Sequence, residues 1–74
     1  MNSHISIDPR VCNGKPVVAG TRIPVTVIID QLASSGSVAE VLRKYPGLTS
    51  DQVAGVLRYC RSVIDHTELE PEAA

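Results

Sequence analysis

Phenylalanine and tryptophan are absent from this 74-residue chain, and aromatic residues make up 3% of it. Phenylalanine and tryptophan rings therefore cannot fill the interior. A core has to come from Val, Ile, Leu and Ala, which dominate the 43% hydrophobic content. Cysteine is also scarce. Cys12 and Cys60 form no CxxC pair and no set of four or six, which argues against a disulfide framework. His4 and His66 stand near opposite ends, outside any metal-ligand spacing, so neither a metal nor another cofactor is expected. No apolar run approaches the roughly 18–20 residues of a membrane span. The segment Met1–His4 has neither the basic nor the apolar part of a signal peptide. Together with two unbridged cysteines, this makes the cytoplasm the expected compartment.

So short a chain is one small domain, whose core supplies only about 3–5 kcal/mol unless something reinforces it. With disulfides and metals set aside, oligomerisation remains, and a homodimer is expected. Formal net charge is −1, but the charges are unevenly placed. Residues 1–64 carry seven basic groups (Arg10, Lys15, Arg22, Arg43, Lys44, Arg58, Arg61) against four acids, a balance of +3. Residues 65–74 carry Asp65, Glu68, Glu70 and Glu72, a balance of −4. A mildly basic body permits phosphate contacts without demanding them.

The N-terminal third reads as short strands. Ile5-Ser6-Ile7 alternates apolar and polar residues, Asp8-Pro9 breaks it, and Val11-Cys12 resumes. Asn13-Gly14 is a tight-turn dipeptide. Pro16–Ala19 follows as a second strand, Gly20 turns the chain, and Arg22–Val25 is a third extended piece. Pro16 and Pro24 lack a backbone donor, which puts these strands at edges or junctions. Open edges invite a second copy, and the apolar residues Ile5, Ile7, Val17, Val18 and Ile23 are the expected dimerisation contacts. The alternative is that they pack on the helices of their own chain.

Three helices follow. The first spans about Thr26–Ser34, with Val25, Ile28, Ile29 and Leu32 at helical spacing, and Ser34-Ser35-Gly36 ends it. The second opens on a capping box, Ser37 with Glu40. It carries Val38, Val41, Leu42 and Tyr45 on one stripe and stops at Pro46-Gly47. The third opens on another capping box, Thr49 with Gln52, and Leu48 and Val53 are placed as a hydrophobic staple. Its stripe is Val53, Val56, Leu57, Cys60 and Ile64, fading near Asp65. Gly55, a poor helix former costing about 1 kcal/mol, falls on the opposite face. Residues 65–74 are polar and acidic, contain Pro71, and read as a disordered tail. The fold class expected is α+β and mainly α. A hairpin-like β element (1–25) precedes a three-helix unit (26–64).

Two capped helices joined by Pro46-Gly47-Leu48, with a helix before them, form a helix-turn-helix candidate. The last helix of such a unit enters the major groove and meets bases with its N-terminal residues. Asp51, Gly55, Arg58 and Ser62 lie opposite the apolar stripe, flanked by Ser50, Gln52 and Ala54. Gln52 and Arg58 carry groups suited to adenine and guanine. The helix start at Thr49 and Ser50 suits a phosphate, and Arg43 and Lys44 are placed for the DNA backbone. The expected DNA contacts are thus Arg43, Lys44, Thr49, Ser50, Gln52 and Arg58. Local roles compete: Arg43 and Lys44 also offset the C-terminal dipole of their helix, and Asp51 suits its own helix N-terminus. No carboxylate pair, no nucleophile with a base and no phosphate-cradling loop is present, so an enzyme is not expected. Cys12, near Arg10 and Lys15, is better read as a small strand residue than as a reactive thiol, and Cys60 as core.

The stretch from Ile5 to Val25, with Gly14-Lys15-Pro16-Val17-Val18-Ala19-Gly20-Thr21-Arg22-Ile23 as its most specific part, resembles the DUF433 family. Leu32-Ala33, Gly36-Ser37 and Tyr45–Thr49 extend the resemblance over roughly residues 5–61. The resemblance implies a short β element followed by a trihelical, winged or homeodomain-like helix-turn-helix, and dimers associated through the N-terminal part. It also implies an antitoxin similar to the VapB type, partnered with a PIN-like ribonuclease toxin. Carried over, the groove-facing helix is Thr49–Arg61, while Gly14, Gly20, Thr21 and Arg22 are structural. The expected function is a DNA-binding antitoxin of a type II toxin–antitoxin system that represses its own promoter. The alternative is a protein-interaction module that inhibits a partner without touching DNA.

Overall fold

A computed structural model describes residues 3–66; of the acidic tail expected over 65–74, Asp65 and His66 belong to the last helix and residues 67–74 lie outside the described residues. Strands β1 (Ile5–Ser6) and β2 (Val17–Val18) pair antiparallel, Ile5 opposite Val18 and Ser6 opposite Val17. The helices are α1 (Val25–Ser35), α2 (Val38–Lys44) and α3 (Ser50–His66). The α+β reading holds: a minimal hairpin followed by three helices.

The hairpin owes its shape to two loops. Between the strands, Asp8 takes the Arg10 backbone N–H at 2.8 Å and its guanidinium at 3.0 Å. The chain then enters a left-handed run at Cys12, Asn13 and Gly14, with φ of 50, 58 and 82°. Asn13-Gly14 does turn as expected, but Val11-Cys12 does not continue a strand, because Cys12 has already bent into the turn. Its Sγ donates to the Arg22 carbonyl at 3.5 Å. After β2, Gly20 takes the positive φ (80°) that the third position of a type II turn requires. Thr21 closes that turn, its N–H and hydroxyl both donating to the Val18 carbonyl. The expected third strand is reduced to one bridge, Val17 to Pro24, since proline cannot extend the ladder.

Pro24 sets φ at −64° just before α1. Gly36, at φ 73°, ends that helix by donating its N–H to the Leu32 carbonyl. Val18, Val25, Ile28, Val41, Leu48, Val53 and Val56 form one aliphatic core, with Ile5, Ile23, Leu32, Val38, Leu42, Tyr45, Tyr59 and Cys60 packed around it. Each such side chain, fully buried, contributes about 1.5–3 kcal/mol.

The buried face of α3 is rotated from the one read in the sequence. Val53 and Val56 are buried as expected, but Leu57 (43%) and Ile64 (68%) are exposed. Gly55, expected on the open face, is buried instead. A Cβ built on Gly55 falls 2.6 Å from the Cβ of His4, so only glycine admits the N-terminal segment at this distance. His4 is half-buried against it. The cause is β1, which packs across α3 and widens its covered sector toward Gly55 and Tyr59.

Candidate nucleic-acid interface

The turn between α2 and α3 is held locally. Tyr45 donates its N–H to the Val41 carbonyl, and Leu48 donates to the Tyr45 carbonyl, both at 2.9 Å. Leu48 and Val53 are both buried, completing the staple that fixes how α3 leaves the turn. At Thr49 the capping box is reciprocal. The Gln52 N–H donates to Thr49 Oγ1 at 3.2 Å, and the Thr49 N–H donates to Gln52 Oε1 at 2.8 Å. The box at Ser37 is half-formed. Ser37 accepts from the Glu40 N–H at 3.1 Å, but the Glu40 carboxylate turns to Arg43 at 2.6 Å.

These bonds redistribute the six residues expected at DNA. Arg43 is already paired with Glu40, and Lys44 donates to Gln31 Oε1 at 3.1 Å. The two line an open cleft of about 390 Å³ with Gln31, Ser35 and Glu40, between α1 and α2. Gln52 has its amide oxygen committed to the cap, so it cannot grip adenine with oxygen and nitrogen together while that cap stands. Thr49 is likewise the other half of the cap. Ser50 and Arg58 are exposed, and among the described residues Arg58 enters no ion pair. Asp51 and Leu57 share the exposed surface of α3 with them, as does the half-buried Ala54. Leu57 is the neighbour that sequence reasoning missed, because helical spacing assigned it to the core.

Of the five residues expected to join two copies, Val17 and Val18 are spent inside the chain's own core. Ile5 and Ile23 pack against that core, and only Ile7, 60% exposed, projects outward. Chemistry elsewhere is sparse. Burial pushes the Cys60 thiol up, away from the thiolate a nucleophile needs. The Arg10 guanidinium and backbone N–H hold the Asp8 carboxyl below its usual range. Among the described residues, no three His, Cys, Asp or Glu side chains gather to hold a metal, and no helix is long and apolar enough to cross a membrane.

The family profile described as "Protein of unknown function (DUF433)" matches residues 5–60. The chain belongs to the DUF433 family. The fold agrees: a crystal structure of a DUF433 member protein from Anabaena variabilis ATCC 29413 superposes with a TM-score of 0.76 at 31% identity. The match covers 84% of this chain and 61% of that one. This DUF433 chain therefore spans under two thirds of that relative's length. A comparison with curated proteins finds no match. The DUF433 profile takes in the strands, the first two helices and α3 as far as Cys60. Family membership thus covers the whole candidate interface but carries no activity with it.

Proposed function

We propose that this DUF433 protein is a non-enzymatic, DNA-binding antitoxin of a type II toxin–antitoxin system, acting in the cytoplasm. In this reading it represses its own promoter as a homodimer and neutralises a PIN-like ribonuclease. The observation that carries the DNA part is Arg58. It is an exposed guanidinium with no ion-pair partner among the described residues, a little over two turns inside a helix whose start is fixed by a complete capping box. Ser50 and the half-buried Ala54 keep the approach to that helix low. Arg43 is held by Glu40, but the pair is exposed and easily exchanged for a phosphate. The antitoxin role and the ribonuclease partner rest on resemblance within the family.

The deciding experiment is binding of the full chain to the promoter region of its own gene over a range of salt concentrations. Affinity should fall steeply with salt. Arg58→Ala should weaken it about tenfold or more, the effect of losing one guanine contact. Absent or salt-insensitive binding sinks the DNA reading.

A second reading, a protein-interaction module that binds no DNA, is favoured by Asp51 and Leu57. Together they place a negative charge and an apolar side chain on the surface that DNA would occupy. A stable complex with a neighbouring gene product, without any promoter shift, selects this reading.

A further inference from the structure

The left-handed loop between β1 and β2 holds a chemically reactive pair. Asn13 is followed by Gly14, whose missing Cβ leaves its backbone nitrogen open to the preceding side chain. In an unfolded chain that nitrogen, once deprotonated, attacks Cγ of the Asn13 side-chain amide. The new N–Cγ bond closes a succinimide ring, and the bond from Cγ to the side-chain nitrogen breaks, releasing ammonia. Water then opens the ring at either carbonyl, leaving aspartate or its isomer joined through Cβ. Overall, an amide and a water become an acid and an ammonia.

The fold blocks the first step in two ways. Asn13 sits at φ 58° and ψ 32°. That ψ sets the Gly14 nitrogen beside Asn13's own nitrogen, on the far side of the Cα–C bond from Cβ, so the ring cannot close. The Gly14 N–H also donates to the Val11 carbonyl at 3.0 Å, which retains the proton that has to leave. On either side, Val11 donates its N–H to the Asp8 carbonyl at 2.9 Å and Lys15 donates to that of Cys12 at 3.1 Å, holding the same turn. Access of water is not the barrier, since Asn13 is exposed.

We infer that Asn13 is a deamidation site gated by opening of this turn, and that its isoaspartyl product cannot re-form the turn. That product carries an extra main-chain carbon at position 13, so the bonds from Gly14 to Val11 and from Lys15 to Cys12 lose their register. Normally linked aspartate tolerates the left-handed region as asparagine does, and keeps the turn. The loop joins β1 to β2, where Val17 and Val18 are buried, so the isomer loosens the hairpin along with its own turn. The modification thus records, irreversibly, the time a chain has spent open. It stands whether or not DNA is bound.

The test is incubation of the full chain at mildly alkaline pH across a graded urea series, from native to unfolded. Peptide mapping by mass spectrometry separates position 13 from Asn2, the other asparagine. Unfolded, position 13 should deamidate, and Gly14→Ala should slow it because the added Cβ shields the nitrogen. In the native chain the reaction should be about tenfold or more slower, set by the fraction of time the turn is open. Protection of the Gly14 amide against hydrogen exchange reports the same opening, so the two should fall together as urea rises. The isoaspartyl chain, isolated by ion exchange, should melt below the parent, and Asn13→Asp should melt close to it. Equal rates in native and unfolded chains overturn the inference, as does an unfolded chain that does not react at position 13. So does a deamidation rate that stays flat while Gly14 protection is lost, or an isoaspartyl chain as stable as the parent.

Discussion

The two halves of α3 share one helical geometry and differ in nearly everything else. The first half is capped, stapled through Leu48 and Val53, and pressed on one side by the core and on the other by His4. The second half extends past the body and leaves Ile64 in solvent. Seventeen residues at 1.5 Å rise make a helix about 26 Å long, and the hairpin and the two short helices cover only part of it. A helix can therefore be continuous in backbone hydrogen bonding while its two ends answer to different constraints.

Substitutions that separate the halves sharpen the contrast. Val56→Ala, at a position with no exposed surface, should cost about 2–3 kcal/mol in urea unfolding. Ile64→Ala, followed in dilute solution, should stay within about 0.5 kcal/mol. Equal losses would erase the distinction. Next in size comes Gly55→Ala. Alanine is favoured in a helix by about 1 kcal/mol, but its methyl would meet His4 and overpack at a cost of about 1–3 kcal/mol. A net loss is expected, reversing to a gain when the same change is made in a His4→Gly background. If the two substitutions simply add, His4 does not restrict this position. Thr49→Ala should remove about 1 kcal/mol by breaking the capping box, read as the thermal midpoint.

The smallest effect lies far from α3. Because Arg10 lowers the Asp8 pKa in the fold, Asp8 contributes stability above the ordinary carboxylate range and loses it as the pH falls through its depressed value. Arg10 is exposed and Asp8 partly so, which leaves the pair screened by solvent, so Asp8→Asn should flatten the acid side of the stability profile only slightly.

What could be read in the sequence follows the range of the interactions responsible. Ser37, Thr49 with Gln52, and Gly36 act on neighbours three or four residues away, and they mark the helix ends within a residue or two. Asn13-Gly14 likewise announces its turn. Gly55 does not announce its role: in isolation it is a weak point in a helix, and only the distant His4 explains it. The same long-range packing moved Leu57 and Ile64 from the expected core to the surface. At the candidate interface, Arg58 and Ser50 are where the helical spacing placed them. The competing use of Gln52 was visible in the capping box itself, which claims the same amide that a base would need.

The contact between His4 and Gly55 joins positions some fifty residues apart, so closing it encloses most of the chain in a single loop. The helices meet through much shorter separations and can assemble first, at a lower entropic cost of closure. Docking of the N-terminal strand onto α3 is then expected to come last. Substitutions at His4 or Gly55 should accordingly change how fast the protein unfolds far more than how fast it folds.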